Sequence, residues 1–188
     1  PYLYQLHAAV LVNGTCTDRL AQQFGMRSFT QDTESPQRKG MFYLNGRSIR
    51  LRGANTMGFE QQDVLRGDLP QLIDDILLAK LCNMNFLRLT QRPVQDEVYE
   101  YCDKLGLMTQ TDLPLFGVMR RFRVPEGIRQ AEELARMVRK HPCNVVVSYI
   151  NEPFPNANNE PHRHLIRPEL ENFFICCDLV VKLSNPDQ

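Results

Sequence analysis

A chain of 188 residues, 43% hydrophobic and 23% charged, has the make-up of an ordinary globular protein. Its 22 Lys and Arg balance 22 Asp and Glu, so no net field draws it to nucleic acid or to anionic lipid. The longest apolar runs, near Ile76–Leu78 and Val145–Val147, are far too short to span a bilayer.

Tyr2 to Val12 reads as a strand, and Asn13-Gly14 supplies a hairpin turn. A second strand is expected from about Asp18 to Phe24, with Met26 to Thr30 continuing after Gly25. Two or three strands without a helix cannot bury a core alone. Residues 1–33 are therefore expected to be the end of a β-sandwich domain. The polar stretch Gln31 to Lys39, with Glu34-Ser35-Pro36, reads as a linker at 34–40. Another hairpin follows, Met41 to Leu44 and Arg47 to Arg52, turning at Asn45-Gly46.

After Gly53-Ala54-Asn55 the period changes from two to that of a helix. Leu69, Leu72, Ile73, Ile76, Leu77 and Leu81 predict an amphipathic helix, and Asn85 to Thr90 a short strand. Val98, Tyr101, Cys102 and Leu105 mark the next helix, stopped by Gly106. Leu107 to Thr111 is a strand ending in Asp112-Leu113-Pro114. Ile128, Ala131, Leu134, Ala135 and Val138 give another helix. Val145-Val146-Val147 reads as a strand buried on both faces, and Asn151-Glu152-Pro153 ends it, because proline cannot donate to a ladder. Leu170, Phe173, Phe174, Cys177, Val180 and Val181 mark a last helix.

Strands near 48–54, 85–90, 107–111 and 145–150 thus alternate with helices, the pattern of a parallel sheet with right-handed crossovers. A doubly wound nucleotide fold should carry a glycine-rich turn after its first strand, but Gly53-Ala54-Asn55-Thr56-Met57-Gly58 lacks G-x-G-x-x-G. A complete (β/α)8 barrel needs about 250 residues. The expected α/β architecture is therefore the last strands of a sandwich followed, over 41–188, by the first half of such a barrel. Unpaired sheet edges on an isolated half would favour pairing with a second copy, a homo-oligomer.

In a barrel the C-terminal strand ends converge on one mouth. Here they bring Asn55, then Arg88 and Gln91, then Asp112, then Asn151 and Glu152. Amides, a guanidinium and carboxylates around one cavity suit a polyhydroxylated ligand, a carbohydrate. Glu152 is the candidate acid/base, although a strand-end glutamate on its own is more often a cap or a surface residue. Arg88 on an apolar strand requires a partner whatever its role, since a lone buried guanidinium is costly. The loop from Pro153 to Pro168 lies on the mouth side, where loops carry specificity. Its His162-Arg163-His164 offers only two metal ligands, so no metal is expected. Arg120-Arg121-Phe122-Arg123 reads as a solvated loop, or as a contact for an anionic sugar. The six cysteines (Cys16, Cys82, Cys102, Cys143, Cys176, Cys177) show neither C-x-x-C nor metal spacing, and as buried thiols they favour a reducing compartment. No cofactor is expected. Pro1-Tyr2-Leu3-Tyr4 looks like the inside of a fold rather than a natural start.

The segment His141-Pro142-Cys143-Asn144-Val145-Val146-Val147-Ser148-Tyr149-Ile150-Asn151-Glu152 resembles the acid/base segment of glycoside hydrolase family 2, which includes β-galactosidases, β-glucuronidases and β-mannosidases. Other pieces resemble the family in the same order. Phe24-Gly25-Met26-Arg27 is similar to the close of its immunoglobulin-like sandwich, and Phe42 to Arg47 with Leu51 to Asn55 to its barrel entry. Asn85-Phe86-Leu87-Arg88 and Tyr101 to Leu107 are similar to its second strand and the helix after it. The resemblance implies a retaining mechanism with Glu152 transferring the proton, Asn151 on the sugar 2-hydroxyl, and Arg88 positioning a nucleophile on strand seven, beyond Gln188. Asp112 matches a mouth-lining position. The family often has Asn-x-His after strand one and Arg-x-x-His-Tyr-Pro after strand two. Met57 and Gln91 stand in place of those histidines, and Tyr149 stands where tryptophan is frequent. That pattern implies an unusual specificity or a diverged subgroup. The alternative is a carbohydrate-binding protein that keeps the scaffold without the chemistry.

Overall fold

The computed structural model describes residues 2–117, 119–153 and 168–186. The expectations for His162-Arg163-His164 and for most of the Pro153–Pro168 loop lie outside these residues. β1 (Leu3–Val12) and β2 (Thr15–Gly25) form an antiparallel hairpin. Asn13 and Gly14 have φ of 50° and 80°, the left-handed pair that matches strand twist in a two-residue turn. The second strand begins at Thr15, earlier than its side chains suggest, because the tight turn sets the pairing.

β3 (Phe29–Gln31), β4 (Phe42–Leu44) and β5 (Arg47–Ile49) make a three-stranded antiparallel sheet in that order. Phe29 stacks on Phe42 across the first pair, with ring centroids 5.4 Å apart. The segment expected as a linker is a closed excursion between these two paired strands. The Asp32 N–H donates to the Met41 carbonyl at 2.9 Å, and the Asp32 carbonyl accepts the Gly40 N–H at 2.7 Å.

The third sheet is parallel, in the order β6 (Gly53–Thr56), β7 (Phe86–Leu89), β8 (Met108–Asp112), β9 (Asn144–Ser148). Its first strand starts later than the expected 48–54, since residues 47–49 are used in the hairpin with β4. Gly53 makes that start feasible. A Cβ there would lie 1.8 Å from the Phe86 carbonyl oxygen, so only glycine lets the two strands approach.

Helices α1 (Phe59–Arg66), α2 (Leu69–Leu81), α3 (Asp96–Leu105), α4 (Val124–Val138) and α5 (Pro168–Ser184) complete the β–α alternation. α1 was not expected. It buries Glu60, Gln61 and Asp63, so no apolar period announces it, and the left-handed Gly58 and Gly67 bound it. α2 starts on Asp68, whose carboxylate accepts the Gln71 N–H, but it buries only Leu72 and Ile76. Leu77 and Leu81 of the expected apolar face are exposed. α3 turns Tyr99 rather than Tyr101 fully inward, where its hydroxyl lies 3.0 Å from Thr111 Oγ1. No described helix is long and apolar enough to cross a membrane.

Strand alternation then sorts the side chains. Leu87 and Leu89 are buried on the face that packs against the helices, with Leu72, Val98, Leu134 and Phe173. Arg88, between them, faces the other way with its register partners Asn55 and Gln110. Cys102, Cys143 and Cys177 are buried free thiols. Burial pushes the Cys177 thiol up to about 12 and those of Cys102 and Cys143 well above the usual range, so none is a ready nucleophile.

Candidate active site

Arg88 and Asp112 meet at the C-terminal ends of β7 and β8. Arg88 Nε donates to Asp112 Oδ1 at 3.2 Å and Nη2 to Oδ2 at 2.6 Å, a two-pronged pair. The same Nη2 donates to Asn151 Oδ1 at 2.8 Å. Asp112 is fully buried and also accepts the Gln91 backbone N–H and the Gln110 amide, each at 3.1 Å. Four donors on two oxygens use the carboxylate fully, which is what makes its burial tolerable. No edge of Asp112 is left open to a ligand, so its part differs from the sugar contact first expected of it. It holds the guanidinium and the Gln91 turn in place. The arginine side chain, at 23% exposure against 0% for the aspartate, is the member of the pair that reaches the opening.

Asn151 is fixed by backbone as well as side chain. Its N–H donates to the Leu115 carbonyl at 2.8 Å, and its carbonyl accepts the Gly117 N–H at 2.9 Å. Because Oδ1 faces the arginine, the amide NH2 is the end that can donate to a ligand. Glu152 comes next, exposed, at φ 47°. A non-glycine residue in the left-handed region carries local strain, which recurs at functional sites. Here the left-handed residue is the carboxylate-bearing one itself, in the segment that follows β9.

Gln91 is likewise left-handed, at φ 69°, with its N–H on Asp112 and its side chain exposed. With Met57, Gly58, Thr90 and Arg92 it lines a cavity of about 250 Å³ at the ends of β6 and β7. The two positions that depart from the family's histidines, Met57 and Gln91, thus border one space. Asn55 is exposed and in register with Arg88, on the inward face. Tyr149 tilts against Phe174 and directs its hydroxyl to Asp178 of α5 at 3.5 Å, tying the segment just after β9 to that helix.

The structure therefore brings Arg88, Asp112, Asn151 and Gln91 into one bonded cluster, with Glu152 adjoining it in the chain. Gln110 was missed by the sequence reading. It sits two residues before Asp112 on one strand, so period two alone places both on one face.

A second polar cluster lies at the opposite end of β9, behind the sheet. His141 Nδ1 donates to Asp103 Oδ2 at 2.8 Å, and Asp103 Oδ1 accepts the Cys143 N–H at 2.8 Å. The imidazole stacks on Tyr99. Nearby, burial alone would raise the Asp96 carboxyl, but the bond and charge of Lys140 outweigh it and hold it below its usual range.

Residues 37–169, most of the chain, match the profile of the glycosyl hydrolases family 2 TIM barrel domain. The chain is 29% identical over 160 residues to a β-glucuronidase of Mus musculus, covering 81% of this chain and 23% of that protein. It is 34% identical over 116 residues to a putative β-glucuronidase of Formosa agariphila, covering 61% and 13%. A β-galactosidase of Lactococcus lactis is 26% identical over 170 residues, covering 85% and 16%. In fold it resembles an FMN-binding β-glucuronidase from Facaelibacterium prausnitzii L2-6 with a TM-score of 0.78 at 21% identity, covering 99% of this chain and 27% of that one. A Bacteroides uniformis β-glucuronidase gives 0.76 at 23% identity, covering 99% and 23%. The chain thus spans about a quarter or less of the length of these relatives.

Proposed function

Because this chain belongs to glycosyl hydrolase family 2, we propose that it supplies the acid/base side of a retaining β-glycosidase active site. Glu152 protonates the glycosidic oxygen as the leaving group departs. A carboxylate from a barrel strand outside these residues attacks the anomeric carbon. Glu152 then takes the proton of the water that releases the sugar. Asn151 donates its amide to the hydroxyl beside the reacting carbon. Arg88, clamped by Asp112, orients Asn151 and lends positive charge to the nucleophile's side of the mouth. Asn55 and Gln91 line the sugar site. In the same reading, residues 1–33 close an immunoglobulin-like sandwich and residues 41–188 are the first half of the barrel.

The observation that carries this reading is the Arg88–Asp112–Asn151 cluster. Its arginine bond, with the two backbone bonds to Leu115 and Gly117, fixes the residue before Glu152 at the C-terminal end of a parallel sheet. The substrate class follows from two supports. Relatives are named β-glucuronidase and β-galactosidase. The loop after β8 carries Arg120, Arg121 and Arg123, all exposed, which suits an anionic sugar.

The test uses the complete natural polypeptide that contains these residues, with chromogenic aryl β-glycosides of galactose, glucose, glucuronic acid and mannose. One sugar is expected to turn over. Glu152→Gln should cut kcat/KM on poor leaving groups by roughly 10²–10⁴-fold, the usual worth of general acid/base help. Unchanged turnover in that variant would remove Glu152 from the chemistry. A silent panel, with sugar binding still seen by calorimetry, would favour the binding-protein reading.

A further inference from the structure

Beyond the groups that act on the sugar, we propose that Phe116 is an aromatic platform for the leaving group, accepting an aryl ring or the C–H face of a second sugar. The inference rests on the glycosidase reading above and on three observations at one place. Phe116 forms a parallel β-bridge with Asn151, although it lies outside any regular strand. Residues paired in a ladder carry their side chains on the same face. The Asn151 side chain is bonded to Arg88 on the inward face of the barrel sheet, so Phe116 shares the mouth side with it.

The bridge is also firmly held. The Asn151 N–H donates to the Leu115 carbonyl and the Gly117 N–H to the Asn151 carbonyl, clasping the residues on both sides of Phe116. Gly117 at φ 69° then turns the chain away. These bonds fix where the side chain leaves the backbone, so no loop ordering is needed before a ligand stacks on the ring.

Finally, the ring is 56% exposed, and no other ring or cation stacks on it among the described residues. Phe122, farther along the same loop, differs: it is more exposed, but the Arg123 guanidinium lies 5.5 Å from its ring centroid. Phe116 is an open aromatic face beside the residue that precedes Glu152. An acid that protonates a glycosidic oxygen reaches it from the leaving-group side, so a flat apolar face adjoining that acid meets what departs, by the offset stacking that aromatic rings favour.

The experiment compares the wild-type complete polypeptide with Phe116→Ala and Phe116→Tyr. The probes are the 4-nitrophenyl, methyl and fluoride β-glycosides of galactose and of glucuronic acid. Phe116→Ala should lower kcat/KM for the 4-nitrophenyl glycoside by roughly tenfold, the upper range of an aromatic pair. The glycosyl fluoride, which has no ring to stack, should stay within about twofold, and Phe116→Tyr should keep both. Equal losses on both substrates would make Phe116 a packing residue and overturn the proposal, as would no loss on the aryl glycoside. Calorimetry with 4-nitrophenyl against methyl glycosides reads the same contrast without turnover. A wild-type protein silent in turnover would contradict the glycosidase reading, while the calorimetric contrast would still decide the platform.

Discussion

Asp112 and Asp103 are both buried carboxylates in the barrel layer, and both have their oxygens occupied, yet they serve different ends. Asp103 has buried partners only: His141, at 1% side-chain exposure and covered by Tyr99, and the Cys143 N–H. Past the imidazole, whose Nε2 lies 3.7 Å from Asp96, the network leads away from the mouth. Asp112 hands its bonds outward. Arg88, Gln91 and, through the arginine, Asn151 carry them to the mouth beside Glu152. A buried charge whose partners are themselves buried fixes a fold. One whose partners reach the opening positions a site. The difference lies in where the network ends and not in how deep the carboxylate sits.

The largest effect should come from breaking the outward network at its cation. Arg88→Met leaves Asp112 with two neutral donors and an uncompensated charge, and should cost about 3–5 kcal/mol in a denaturant titration. Arg88→Lys restores the charge without the two-pronged geometry, so it should recover fold more than turnover. An Arg88→Met protein as stable as wild type would show that the pair is not what holds the mouth together.

A smaller effect sharpens the comparison from the side of a carboxylate with too few partners. Glu60 is 2% exposed; its Oε1 accepts the Thr56 hydroxyl and its Oε2 has no hydrogen-bond partner. Burial, outweighing Thr56 and the Arg92 charge, raises its carboxyl above the usual 4.5. Below pH 4.5 the group is protonated folded or unfolded, and stability is undiminished. As pH rises through the raised value, the unfolded chain has already released its proton and stability falls. Glu60→Gln removes that loss. Its thermal midpoint should match wild type near pH 4, pull ahead as pH rises above 4.5, and hold that lead once the pH has passed the raised value. A gap that stays constant with pH would contradict the burial of a charge there.

The smallest effect concerns the cationic loop. Arg121→Ala should lower turnover of an aryl β-glucuronide by a few-fold, roughly the 0.2–1 kcal/mol of an exposed pair, and leave a galactoside untouched. Equal rates on the glucuronide would sever the loop from the sugar.

Much of this was legible in the sequence because the barrel advertises itself by period. Alternating strands and helices gave the parallel sheet, and strand ends gave Arg88, Asp112, Asn151 and Glu152 as neighbours. What stayed hidden had no period to show. α1 buries acids and an amide on a short polar helix, so a hydrophobic pattern cannot find it. The first barrel strand was drawn too early because β5 and β6 run close in sequence but pair in different sheets. Phe116 lies in an irregular loop, and only the backbone bonds to Asn151 reveal which way it faces. That Asp112 acts behind Arg88 rather than on a ligand depended on counting its donors.

The most direct test sets Asp112→Asn against Asp103→Asn in the complete polypeptide, reading thermal stability and kcat/KM per folded molecule for each. Both variants should lose stability. Asp112→Asn should also lose about 100-fold in kcat/KM, the scale of a misplaced catalytic group, whereas Asp103→Asn should keep its activity within about twofold. Comparable losses of activity in the two, or full activity in Asp112→Asn, would contradict the assignment of one network to chemistry and the other to the fold.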